Sequence, residues 1–470
     1  MSSVRSYWLN QALAKGIEMA PPLRRPESAD VAILGGGFCG LWTAVELAKR
    51  EPSLRIAIIE RDICGSGASG RNAGYVLDLW PKFLALRNLF GADEALRVCH
   101  AAQDAVVEIG KFCKLNGIDA SFKKTGWLWG ATCARHAKAW TGTMTALEQL
   151  GERPFVEVPV KDLHERYGLQ GHVAAVQQET AAQVQPAMLA LGLRGVVLKM
   201  GIRIFEHSRV TGLTRGRMCT AHTQNGSLSA PQVVVAMNAW GIMFPEIRRR
   251  IAVTAAEACV TVPVPELIAR LGWVTGPVIT DSRRMLVNYR ATPDGRVEMG
   301  KGGGLLAFGG SVGPRFDGHA IRLNQIIEEV GSAVPALRGI PIETSWMGPI
   351  DKSFHGIPAA GRFPNDENIF YGCGFSGNGV GPTKLIGKVL ASLVLRRTDE
   401  WSSLSLARPL QGEFPGEPVR YLGGKLVRAA VNRNDRLDNS NRDPDFLTRW
   451  LVSKMPGQMI PLKDFEATAA

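Results

Sequence analysis

Short unbroken apolar runs and stretches of helical spacing alternate along the first part of the chain. Residues 30–34, Asp-Val-Ala-Ile-Leu, are apolar after the first position, the pattern of a strand buried on both faces of a parallel sheet. Leu41, Ala44, Val45, Leu47 and Ala48 follow at helical spacing as far as Lys49-Arg50, and residues 55–59, Arg-Ile-Ala-Ile-Ile, predict a second strand that ends at Glu60. Between 84 and 118 the apolar positions Leu86, Leu89, Phe90, Leu96, Val98, Ala102, Val106, Val107, Ile109 and Phe112 predict amphipathic helices. Residues 125–129 read as the start of a strand, 182–200 as a long helix after Pro186, and 202–205 as the strand behind it. The stretches 253–262 and 285–299 are β-rich, and 369–384 predict a strand, a glycine-rich turn and a helix through Leu385, Val389 and Leu390. Beyond residue 400, Pro409, Pro415, Pro418 and Gly423-Gly424 predict an irregular appendix.

The chain has 470 residues, 45% apolar and 21% charged, a globular composition with room for about three domain-sized units. Its longest apolar runs, 233–237 and 389–395, fall well short of the roughly 18 residues of a membrane-spanning helix. Asn10, Gln11, Lys15 and Glu18 interrupt the first 25 residues, so no secretory block is read there and the expected compartment is the cytoplasm. The eight cysteines show no CxxC pair and no zinc spacing, which predicts reduced thiols and no metal. The net charge is +12, but even the tail after Glu400 carries ten basic against eight acidic residues. Charge spread in this way argues against nucleic acid and leaves peripheral contact with a membrane surface open.

The candidate chemistry begins between the first two strands. Gly35, Gly37 and Gly40 satisfy GxGxxG directly after the first strand, with Phe38 and Cys39 opening the helix, and Glu60 ends the second strand twenty residues beyond Gly40. Gly35 permits the tight turn, Gly37 lets a pyrophosphate approach the backbone, and Gly40 lets helix and strand pack closely. The helix N-terminus favours an anion, and Glu60 suits ribose hydroxyls. This predicts an adenine dinucleotide site and leaves nicotinamide or flavin open.

The next loop separates those alternatives. Residues 61–74 are rich in glycine and serine, and Gly67-Ala68-Ser69-Gly70-Arg71-Asn72 closely resembles the GASGRN loop of the D-amino-acid-oxidase-like flavoenzyme family, the group of glycine oxidase, monomeric sarcosine oxidase and gamma-glutamylputrescine oxidase. Residues 233–240 resemble that family's VVAAGAW segment, with Asn238 in place of glycine, tolerable because asparagine also visits positive φ. Residues 372–380 resemble its GFSGHG segment, with Asn378 in place of histidine. The resemblance covers about residues 6–398 and implies noncovalent FAD, since Cys373 lies in no attachment motif. The FAD contacts it implies are Gly35, Gly37, Phe38, Cys39, Gly40, Glu60, Arg61, Gly67, Ala68, Ser69, Arg71, Asn72, Ala73, Gly74, Val210, Asn238, Trp240, Gly374, Ser376, Gly377, Asn378, Gly379 and Val380.

The implied fold is α/β, α+β overall. A Rossmann-like FAD domain with a parallel sheet takes 28–84, 175–250 and 345–400. A substrate domain on a large, mostly antiparallel sheet takes 85–174 and 251–344, between an N-terminal segment 1–27 and a C-terminal extension 401–470. The implied reaction removes hydride from the carbon beside a primary or secondary amine to flavin N5, followed by imine hydrolysis and reoxidation by dioxygen to peroxide. In Tyr289-Arg290, resembling gamma-glutamylputrescine oxidase, Arg290 is expected to clamp a carboxylate or phosphonate and Tyr289 to shape the amine pocket. Sarcosine oxidase has an oxygen-activating lysine where this chain has Glu298, so either Lys301 takes that role or the enzyme is a dehydrogenase serving a quinone or partner protein. His355 is expected to tune the flavin or take a proton. A flavin-binding subunit of a larger complex is the remaining alternative. An aromatic hydroxylase would need a GD segment where Gly372-Cys373-Gly374 stands.

Overall fold

The computed structural model describes residues 4–309 and 311–456. Its first sheet has six strands in the order Ala359–Phe363, Asp366–Cys373, Gln232–Val235, Val31–Leu34, Ile56–Ile59 and Arg203–Phe205. Neighbours run parallel throughout, except for the antiparallel hairpin of the first two. Alternation divides the apolar strands between two layers. Val31, Ile33, Ile56 and Ile58 face the helical layer, whereas Ala32, Leu34, Ala57 and Ile59 face the side of a small four-stranded sheet. Helix Val380–Val394 is buried at almost every position and lies against helix Phe38–Arg50. A β-carbon on Gly387 would stand 2.8 Å from that of Trp42, a fully buried side chain whose burial is worth about 2–3 kcal/mol.

The second sheet has eight strands, in the order Ile342–Ser353, Ile251–Thr261, Val297–Lys301, Val287–Ala291, Val278–Asp281, Trp127–Ala131, Ala174–Gln178 and Val156–Val158. It is antiparallel apart from the pairing of Val278–Asp281 with Trp127–Ala131. The expected boundaries at 174/175 and 344/345 fall inside two of these strands. Tyr289 pairs with Met299, and Arg290 with Glu298. Val287, Tyr289, Val297 and Met299 enter a core with helix Leu323–Ala333, and by alternation Asn288, Arg290, Glu298 and Gly300 take the opposite face.

The first and last described segments are both built into this frame. Ser6 caps helix Tyr7–Leu13, and the fully buried Trp8 meets Trp346 edge-on at 6.3 Å. Beyond residue 400 the structure replaces the expected irregular appendix with helices Val419–Asn439 and Phe446–Val452. Pro418 is only the residue ahead of the first helical turn, and Gly424 faces Leu306, so neither breaks the helix. Residues 457–470 of the extension lie outside the described residues. No helix among the described residues is long and apolar enough to cross a membrane. All eight cysteines are free thiols, and all except Cys133 are buried.

Candidate functional site

Gly35 follows the first strand at φ +112°, where a β-carbon would run into the Ala236 carbonyl oxygen. A β-carbon on Gly40 would strike the Gly35 carbonyl, so turn and helix are locked together by two glycines. Gly37 caps helix Phe38–Arg50 without a side-chain hydrogen bond, and the Phe38 N–H donates to Ser69 Oγ at 2.9 Å. Glu60 accepts the N–H groups of Gly36 and Asp62 at 2.8 and 3.0 Å; burial raises its pKa, and these two donors pull it back. In the following loop Asn72 accepts the Gly74 N–H at 2.7 Å and donates to the carbonyls of Ala68 and Ser69. Arg71 is buried, donates to the carbonyls of Ser66 and Met347, and lies 3.6 Å from Asp317.

These segments wall a cavity of about 930 Å³ between the two large sheets, at the upper end of the size range of ligand sites. Gly35, Gly37, Phe38, Cys39, Glu60, Arg61, Gly67, Ala68, Ser69, Arg71, Asn72, Ala73, Val210, Asn238, Trp240, Ser376, Gly377, Asn378, Gly379 and Val380 all line it. Gly40, Gly74 and Gly374 stand behind the lining. Gly74 is packed against Val184 and Arg290, while Gly374, at φ +85°, leaves no room for a side chain beside Ser353 and Leu410. Asn238 takes φ +48°, the conformation for which asparagine is a tolerable replacement of glycine. Arg61 lies over the Trp240 ring at 3.9 Å. Asn378 donates to the Asp78 carbonyl at 2.7 Å and so ties the last turn to the loop behind the first motif. Asp351 accepts the Gly374 N–H at 2.6 Å, and burial pushes its pKa up to about 7.

The donor set suits a dinucleotide. Helices Phe38–Arg50 and Val380–Val394 both begin at the cavity with glycine at the N-cap, and apart from the Phe38 N–H, which Ser69 accepts, their first-turn N–H groups are left for an anion. The buried Nε1 of Trp240 has no hydrogen-bond partner in the lining.

On the opposite wall four expectations change. Tyr289 points away from the cavity into the sheet's far core, stacked on Trp273 and 3.0 Å from His172, because it shares the strand face of Val287. Arg290 does not line the cavity, and each of its three guanidinium nitrogens is engaged behind the lining: Nε with the Ala73 carbonyl at 2.6 Å, Nη1 with Gln183 at 2.8 Å and Nη2 with the Val184 carbonyl at 2.8 Å. Lys301 borders the cavity, but its ammonium turns to Glu329 at 2.5 Å and the Met285 carbonyl at 3.1 Å. His355 lines a separate small crevice with Leu89 and Leu410, and burial lowers its pKa.

The side chains that do reach this wall include Asn288 and Glu298, with Lys82 and Lys352 nearer the last turn. Burial and then the neighbouring Lys352 lower Lys82 to about 7, and burial lowers Lys352. The signal for Asn288 and Glu298 was available as single polar positions in apolar strands; Lys82 carried none.

The C-terminal helix reaches the cavity wall indirectly. Arg284, which lines the cavity, lies 2.9 Å from Asp438 and 3.8 Å from Asp435, and the backbone N–H of Met285 donates to Asp435. The ligand atoms of His136, Asp435 and Asp438 fall within 4.8 Å of one another, a grouping that could hold a metal ion. Arg284 already supplies positive charge to these carboxylates, so the group is an ion-pair cluster in the fold.

Comparison with known proteins gives the same outline. The family described as FAD dependent oxidoreductase (DAO) matches residues 30–393. Gamma-glutamylputrescine oxidoreductase of Escherichia coli is 26% identical over 406 residues, 85% of this chain and 89% of the relative. Glycine oxidase of Pseudomonas putida is 25% identical over 378 residues, 75% and 91% of the two chains. The crystal structure of glycine oxidase from Geobacillus kaustophilus superposes with a TM-score of 0.66 at 21% identity, covering 82% of this chain and 99% of the other.

Proposed function

The chain belongs to the FAD dependent oxidoreductase family, and from that premise we propose that it oxidises the carbon–nitrogen bond of a primary or secondary amine in the cavity between its two large sheets. The observation that carries this reading is the sharing of one cavity by the glycine turn at 35–40, the loop at 66–74 and the Asn288–Glu298 wall. FAD, when bound, supplies the two-electron acceptor for the substrate's α-hydride. The turn, the loop and the N-terminus of helix Phe38–Arg50 would hold its phosphates, Glu60 would meet its ribose, and the segments 348–352 and 375–380, with the N-terminus of helix Val380–Val394, would border its flavin end. The wall opposite orients the amine and excludes water. Cys39 is the one cysteine in the described lining, and burial pushes its thiol up to about 12, which supports noncovalent FAD.

Dioxygen is the acceptor we favour, giving peroxide and, after imine hydrolysis, an aldehyde or keto acid. In their protonated forms Lys82 and Lys352 bring positive charge to the cavity wall, which favours electron uptake by dioxygen. A second reading, a dehydrogenase passing electrons to a quinone or partner protein, is favoured by the turn of the Lys301 ammonium away from the cavity.

The test is anaerobic visible absorbance of the purified chain during addition of glycine, sarcosine, putrescine and gamma-glutamylputrescine, followed by air. Bleaching by one of these amines is expected, with colour and peroxide returning on aeration and free FAD released by acid precipitation. Colour that returns only with an artificial acceptor selects the dehydrogenase reading. A yellow chain that no amine bleaches contradicts the proposal.

A further inference from the structure

Four acidic side chains line the cavity among the described residues, and three have firm partners. Glu60 holds two backbone N–H groups, Glu257 pairs with Arg322 at 3.2 Å, and Asp351 holds the Gly374 N–H. The fourth, Glu298, is 0% exposed, and the nearest donor to its carboxyl is the Asn288 amide, at 3.3 and 3.5 Å. Arg290, its register partner across the sheet, directs its guanidinium to Ala73, Gln183 and Val184. A buried carboxyl with neither a cation nor a backbone N–H in bonding distance costs stability, and in a cavity wall it marks a group kept for a ligand.

We propose that Glu298 is the proton acceptor for the incoming substrate: it binds the ammonium group and takes one proton, so that the amine meets the flavin neutral. The inference rests on the amine-oxidising function proposed above. In the step one N–H bond of R₂CH–NH₃⁺ breaks and an O–H bond forms on the Glu298 carboxylate, giving R₂CH–NH₂ and a neutral carboxyl; no electrons change hands. Only then is the nitrogen lone pair free to support loss of the α-hydride. The site therefore takes amines that carry a removable ammonium proton, and neither amides nor quaternary ammonium groups.

The surroundings suit that transfer. Burial raises Glu298 to about 8, with Arg290 and Asn288 drawing it back. That value stands between an ordinary carboxyl and an alkylammonium near 10.4, which brings donor and acceptor toward balance. The charged and titratable groups against Glu298 are Arg290, Tyr75 and Cys259. Burial raises both Tyr75 and Cys259 well beyond the neutral range, which leaves Glu298 as the member of this set that titrates there.

The test compares FAD-loaded wild type with Glu298→Gln and Glu298→Asp, using whichever of the four amines bleaches the wild type fastest, from roughly pH 6 to 10. Gln keeps the volume of the acid, so FAD is expected to stay bound while anaerobic bleaching at about pH 8, where the Glu298 carboxylate is populated, slows by about 10²-fold. The acidic limb of the rate profile should move up toward the amine's own titration, and Asp should restore part of the rate. Above about pH 8, where Glu298 is ionised, amine binding should raise the infrared band of a buried protonated carboxyl in wild type and not in E298Q. Wild-type rates and an unmoved pH limb in E298Q overturn the proposal. If E298Q loses FAD, tert-butylamine, which has no α C–H to lose, should still raise the protonated-carboxyl band of wild type above about pH 8; an unchanged band overturns the proposal equally. If no amine bleaches the wild type, the function beneath the proposal fails first, an outcome distinct from these.

Discussion

Replacement of Arg290 by methionine is expected to destabilise the folded chain by roughly 3–5 kcal/mol, given buried acceptors that cost about 1–3 kcal/mol each when left unsatisfied. The guanidinium joins three parts of the molecule: the Ala73 carbonyl in the glycine loop, Gln183 with Val184 ahead of helix Pro186–Lys199, and the Trp8 ring at 5.0 Å on the N-terminal helix. Methionine fills most of the volume but leaves these oxygens buried and unpaired. Lysine keeps the charge without the planar fork, so it should recover only part of the loss. The measurement is thermal unfolding together with FAD retention at matched pH. A substrate clamp would behave differently, with an unchanged melting temperature and a raised KM for acidic amines.

Asp438→Asn is expected to remove the largest part of a pH-dependent stabilisation of comparable size. Burial pulls His136 down, but Asp438 and Cys133 more than reverse this, so its pKa rises from 6.5 to about 9. A histidine that binds its proton more tightly when folded stabilises the native state fully below its unfolded value and loses that contribution as pH rises through its folded value. At 1.36 kcal/mol per pH unit, the span from 6.5 to about 9 is worth about 3 kcal/mol. Wild-type stability should therefore carry a declining component between about pH 6.5 and 9 that is smaller in D438N, which keeps only the part due to Cys133 and Asp281, the two chains converging at the alkaline end except for the lost Arg284 contact at 2.9 Å. Thermal unfolding of both proteins across that window checks it. Equal pH slopes would mean that His136 draws its charge state from elsewhere.

The dinucleotide wall was legible because its signals are local. A tight turn needs glycine where φ is positive, a buried parallel strand needs unbroken apolar residues, and both fall within thirty residues of sequence around Gly35 and Glu60. The substrate wall was not, because the face on which a strand residue points depends on what the sheet packs against. Tyr289 and Asn288 are adjacent, both suit a pocket, and only the core of Trp273 and helix Leu323–Ala333 sends the tyrosine away from it. The extension failed for a related reason. Pro418 and Gly423-Gly424 are local breakers, and the helix persists because Ala430 and Val431 pack on Met285 while Asp435 and Asp438 bind Arg284, contacts about 150 residues distant in sequence. Nothing in the sequence distinguished Trp8 as a core residue or Lys82 as a cavity residue.

A crystal structure of the FAD-loaded chain tests the central claim most directly. The cofactor should thread the cavity with its phosphates between the Gly35–Gly40 turn and the Ser66–Gly74 loop, and its ring system between the 348–352 segment, the Phe375–Gly379 turn and the wall of Asn288 and Glu298. Flavin density outside this cavity, or a ring remote from Glu298, would contradict the account.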